Sequence, residues 1–65
     1  MVKDDYNGCF FTVKSSLNDV HEWRFYGGTD ASAKPIGAGT FHGKERGAVK
    51  EVKGAIDNWR TTNPI

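Results

Sequence analysis

Cys9, His21 and His42 are the side chains of this chain that carry nucleophile, base or metal-ligand chemistry. Cys9 with His21 has the composition of a thiol–imidazole pair, in which the ring takes the thiol proton and the sulfur attacks. The cysteine, however, sits in a run of strand formers, Cys9-Phe10-Phe11-Thr12-Val13, where a small apolar thiol serves as core filler. His21 and His42 stand at no metal-ligand spacing from each other or from Cys9, so no metal is expected. No two carboxylates are spaced for acid–base work. The segment Gly37-Ala38-Gly39-Thr40-Phe41-His42-Gly43-Lys44 has the glycines and lysine of a phosphate-binding loop, but that loop needs glycine where Ala38 stands and Ser or Thr where Glu45 stands. The dinucleotide-binding glycine pattern fails at His42. What remains is the weak anion affinity of a helix N-terminus beside Lys44. His42, just ahead of that helix, is expected to help cap it. A domain of this size has little room for an enzyme-sized pocket. The reading is non-catalytic, with no cofactor and no small-molecule substrate.

The remaining chemistry is that of surfaces. Phe10, Thr12 and Lys14 alternate along one stretch, and Arg24 and Tyr26 along another. Two aromatics and two cations on one open surface suit a protein interface, where Tyr, Phe and Arg are enriched. They also suit single-stranded nucleic acid, whose bases stack on rings while cations hold phosphates. Partial cover of Phe10 and Tyr26 by the loops at 15–21 and 27–35 is the plain structural alternative. Arg46, Lys50, Lys53 and Arg60 form a second set, spaced four, three and seven apart. Such a stripe fits a line of phosphates or a solvated helix face, with Lys50 and Lys53 near Glu51 and Asp57.

Four elements must hold these residues. In Cys9–Lys14 the alternation puts Cys9, Phe11 and Val13 on one face and Phe10, Thr12 and Lys14 on the other. Glu22–Tyr26 places Trp23 and Phe25 opposite Arg24 and Tyr26. Ile36–Phe41 is a third, weaker strand whose Gly37 and Gly39 signal a bulge, a bend or a close backbone approach. From near Gly43 to just before Pro64 the apolar residues Ala48, Val49, Val52, Ala55, Ile56 and Trp59 recur at helical period. Residues 1–7 are polar and read as a flexible lead-in. The fold class is α+β: a three-stranded antiparallel sheet with one C-terminal helix on one face (β-β-β-α), in a single domain over residues 1–65. The covered face takes Phe11, Val13, Trp23, Phe25 and either Ile36 or Phe41, against Val49, Val52, Ile56 and Trp59. Gly47 and Gly54, seven apart in the helix, let another backbone come close.

With 65 residues, such a domain hides only about 60% of its unfolded surface, so its eight aromatics carry much of the burial. The formal charge is +1, less basic than is usual for a protein that lives on nucleic acid. The single cysteine fits a reducing compartment. With no signal-peptide pattern at the start and no apolar run of membrane length, the expected location is cytoplasmic, with no membrane partner.

Phe11-Thr12-Val13-Lys14-Ser15-Ser16, then Trp23-Arg24-Phe25, Ile36, Phe41-His42-Gly43-Lys44-Glu45 and Ile56 resemble the YegP-type family of small domains. The likeness covers about residues 10–58. It implies a β-β-β-α fold whose members pair through their sheets, as tandem repeats or dimers; the family's biochemical role is not established. The chain departs from that pattern at Gly43, where the family has serine, in its longer loop at 27–35, and in lacking an asparagine-glycine turn between strands two and three. Trp23-Arg24-Phe25-Tyr26 and the run from Phe41 to Trp59 are also similar to the arm-binding domain of phage-type tyrosine recombinases, three strands and a helix that read DNA with the sheet.

The expected function is that of a protein-binding module acting through the open sheet face, with Phe10, Thr12, Lys14, Arg24 and Tyr26 as contact residues. It would form a homodimer or act as a small inhibitor or accessory factor of a larger partner; small standalone domains are common among such factors, including phage-encoded ones. The alternative is a DNA- or RNA-binding module using the same face together with Arg46, Lys50, Lys53 and Arg60.

Overall fold

Strict alternation over Cys9–Ser15 puts Cys9, Phe11 and Val13 into the interior, all fully buried. This is strand β2 of the computed structural model, which describes residues 1–28 and 34–63. Strand β3, Val20–Phe25, pairs antiparallel with it, Phe11 opposite Phe25 and Val13 opposite Trp23. Strand β4, Gly37–His42, pairs antiparallel with β3. A single 3₁₀ turn, Leu17–Asp19, joins β2 to β3, with Asn18 and Asp19 at positive φ. Of the expected loop at 27–35, residues 29–33 lie outside the described residues.

Among the described residues the sheet has four strands, in the order β1-β2-β3-β4. The expected three-stranded sheet and flexible lead-in are therefore corrected: Val2–Tyr6 is strand β1, antiparallel to β2. Asn7 (φ 50°) and Gly8 (φ 78°) make the two-residue turn, with Tyr6 opposite Cys9. Positive φ at both central residues is the hairpin geometry that asparagine-glycine favours, because its twist matches that of the strands. Lys3-Asp4-Asp5 is too polar to announce a strand. As an edge strand, however, β1 needs little burial, and its charges blunt an edge that would otherwise recruit other strands.

Helix α1, Glu45–Thr62, lays Ala48, Val52 and Ile56 on the sheet, all fully buried. The core is Cys9, Phe11, Val13, Phe25, Ala48, Val52 and Ile56, with Val2, Tyr6, Trp23, Phe41, Val49, Ala55 and Trp59 packed around it. Phe41 joins this cluster, whereas Ile36 stays 41% exposed, which settles the open choice between them. Gly37 and Gly39 are close-approach positions: a methyl group on either would fall inside the van der Waals radius of the Phe25 or Trp23 ring. Gly47 does the same for Phe41, so its packing partner is the chain's own sheet, while Gly54 faces open space.

The helix starts without a side-chain cap, and Lys44 occupies the cap position. His42 lies exposed at the end of β4, so the expected capping role is corrected. Parity explains it: opposite Val20, His42 points to the face away from the helix.

Candidate interaction surface

The cross-strand register decides which side chains share the uncovered face. Lys3 is paired with Thr12, Asp5 with Phe10, Thr12 with Arg24, Lys14 with Glu22, Glu22 with Thr40 and Arg24 with Ala38. Residues directly opposite one another in a ladder project to the same side. All five predicted contact residues, Phe10, Thr12, Lys14, Arg24 and Tyr26, are thus placed on the face opposite α1. Tyr26 lies just past β3, where its N–H donates to Phe10 O at 2.8 Å.

The face has two zones. At one end the rings of Phe10 and Tyr26 pack with centroids 5.8 Å apart, each half-buried. The N–H of Phe10 donates to Gly28 O at 2.7 Å, so the backbone of residues 26–28 runs beside β2 at this end. The other zone is polar: Arg24 and Lys14 are exposed around the half-buried Thr12, and Glu22 stands opposite Lys14. Two shallow depressions flank Arg24, one lined by Met1, Thr12, Lys14 and Glu22, the other by Glu22, Ala38 and Thr40. Lys3, Asp5, Glu22, Ala38 and Thr40 were absent from the expected surface. Lys3 and Asp5 depend on β1, and Ala38 and Thr40 follow only once β4 is in register. With them, cations and acids interleave: Lys3, Lys14 and Arg24 against Asp5 and Glu22.

The predicted helix stripe is divided by its contacts. Arg60 donates from Nε to Asn7 O at 2.9 Å and from Nη1 to Asn63 O at 3.0 Å, and its guanidinium lies 4.8 Å from the Trp59 ring centroid. It ties the end of α1 to the first hairpin. Arg46, Lys50 and Lys53 instead line a groove between α1 and β1, together with Tyr6, Val49, Gly54 and Asp57.

His21 is a buried functional group that the alternation reaches once β3 is extended back to Val20, since it shares parity with Trp23 and Phe25. It is 5% exposed. Its Nε2 lies 2.6 Å from Gly43 O, and because a carbonyl only accepts, that nitrogen carries the proton. Its Nδ1 lies 2.7 Å from Ser15 Oγ, which is itself 3.3 Å from a Glu45 carboxylate oxygen. The ring clasps the end of β2 to the turn before α1. Cys9 sits at the far end of β2, opposite Tyr6, so it forms no pair with His21. Among the described residues, no three His, Cys, Asp or Glu side chains are grouped to hold a metal ion, and no helix is long and apolar enough to cross a membrane.

The titration of Tyr6 is displaced. The hydrogen bond from its hydroxyl to Asp57, reinforced by burial and by the carboxylate's charge, raises it above the usual tyrosine value of 10.0.

Comparison of the chain with protein-family models, with curated proteins and with solved structures returned no match. The likeness to YegP-type and arm-binding domains rests on the motifs quoted above.

Proposed function

We propose that this chain is a non-catalytic protein-binding module whose contact surface is the open sheet face. The carrying observation is the composition of that face: a half-buried Phe10–Tyr26 pair beside exposed Arg24 and Lys14, with Glu22 and Asp5 among them. Rings beside an arginine match the anchors of protein interfaces. Charges of both signs on one surface select a partner by complementary pairing, whereas a phosphate backbone wants cations alone. The partner is a second copy of the chain or a larger protein that the module blocks or assists.

The test is a double substitution, Arg24→Ala with Tyr26→Ala. The variant keeps its circular-dichroism spectrum and loses both concentration-dependent self-association in sedimentation and capture of a partner from the native cell. Nuclease treatment leaves wild-type capture unchanged. A variant that associates and captures like the wild type would sink the reading, as would capture abolished by nuclease.

A further inference from the structure

A four-stranded sheet is about 14–19 Å wide and one helix about 10 Å. The single helix therefore leaves part of its own side of the sheet uncovered. It packs on β2, β3 and β4 and only grazes β1. The uncovered strip is the groove whose walls are Tyr6 on β1 and Arg46, Val49, Lys50, Lys53, Gly54 and Asp57 on α1.

The groove holds more cations than acids, Arg46, Lys50 and Lys53 against Asp57, because the other two acids of α1 turn elsewhere. A Glu45 carboxylate oxygen lies 3.3 Å from Ser15 Oγ, and Glu51 accepts from Trp23 Nε1 at 2.7 Å. Asp57 alone stands four residues from one of the cations, Lys53. Its Oδ2 accepts from the Tyr6 hydroxyl at 2.9 Å and its Oδ1 from Asn7 Nδ2 at 3.4 Å. Asp4, on the same side of β1, takes the N–H of Asp5 and does not line the groove. Arg46 and Lys50, and Lys50 and Lys53, are like-charge pairs at neighbouring helix positions, an arrangement that costs stability unless something anionic lies against it.

We propose that this groove binds an acidic segment of a partner protein, with one aliphatic side chain of that segment seated in the gap at Gly54. Three cations within eight helical residues span about 10 Å, the reach of three or four residues of extended peptide. Nothing lies within 4 Å of the Cβ position of Gly54, and the apolar Val49 side chain lines the same groove. A nucleic-acid strand fits less well. Lys53 already lies over the Tyr6 ring, 5.4 Å from its centroid, so no base can stack there. The cation row also ends at the Asp57 carboxylate, because Arg60 is held by Asn7 and Asn63. This site is in the opposite layer from the open sheet face and stands independently of it.

The experiment is fluorescence anisotropy with three probes: a labelled peptide of glutamate and aspartate around one leucine, its glutamine and asparagine counterpart, and a single-stranded oligothymidylate of equal length. The acidic peptide binds, more weakly as salt rises, and its amide counterpart does not. Arg46→Glu with Lys50→Glu, both exposed positions, weakens binding by roughly tenfold or more. Gly54→Leu, which fills the gap in a helix-favouring way, also weakens it, and Arg24→Ala with Tyr26→Ala leaves it unchanged. No binding of the acidic peptide to wild type, undiminished binding by the folded charge-reversal variant, or tighter binding of the oligothymidylate would each overturn the proposal.

Discussion

The hydroxyl of Tyr6 donates to Oδ2 of Asp57 at 2.9 Å, joining the first strand to the helix across 51 residues of chain. Asn7 and Arg60 repeat the link one position further on, side chain to side chain and side chain to backbone. The edge strand that α1 barely touches is thereby fastened to it by polar contacts.

That fastening has a pH signature. An unfolded tyrosine loses its proton near 10, while Tyr6 in the fold keeps it to higher pH, chiefly through its hydrogen bond to Asp57. Between those values the folded state binds more protons, so stability falls as pH rises. The contribution is complete below about pH 10 and is lost as pH passes through the raised value. Urea midpoints of wild type and Tyr6→Phe are expected to stand apart below pH 10 and to converge above it. Curves that stay parallel throughout would show that the bond does not form in solution.

His21 is predicted to be structural. His21→Leu keeps the volume but strips the Gly43 carbonyl and the Ser15 hydroxyl of their partner. Leaving a buried carbonyl unsatisfied costs about 1–3 kcal/mol, and the part-buried Gly43 carbonyl falls toward the lower end. A 65-residue domain holds about 3–10 kcal/mol in total. Guanidinium denaturation should therefore show a clearly lowered midpoint, and an unchanged one would remove His21 from the framework.

The glycines are predicted to respond in opposite directions. Gly39→Val raises strand propensity yet drives a side chain into the Trp23 ring, so a loss of about 1–3 kcal/mol is expected. Gly54→Ala meets nothing within 4 Å and should add about 1 kcal/mol through helix propensity alone. Thermal melts of the two variants check both signs; a stabilised Gly39→Val would mean that Trp23 does not lie over β4.

Periodicity in the chain was enough to determine β2, most of β3, the helix and the inward face of each. Phe11, Val13, Phe25, Val52 and Ile56 announce their burial by spacing, because a side chain's direction follows from its own backbone. The same parity placed Phe10, Thr12, Lys14, Arg24 and Tyr26 together on the outer face, while the glycines of β4 left a bulge, a bend or a close approach open, and the rings of Phe25 and Trp23 against them decide for the last. The groove was half legible: the cations were visible as a stripe, the space beside them was not.

What only the tertiary structure decided concerns groups whose partners are far away in sequence. Val2–Tyr6 becomes a strand through hydrogen bonds to β2, and backbone pairing is indifferent to the polarity of Lys3, Asp4 and Asp5. The Asn7-Gly8 turn was the local sign of it, read as the end of a loose tail. On the solvated-face reading Glu51 and Asp57 stand near Lys50 and Lys53; Asp57 does share their groove, but Tyr6 donates to it, and Glu51 accepts from Trp23. Which neutral donors claim a helix's acids depends on where the helix lands across the sheet, and so does which of its cations are left facing a groove.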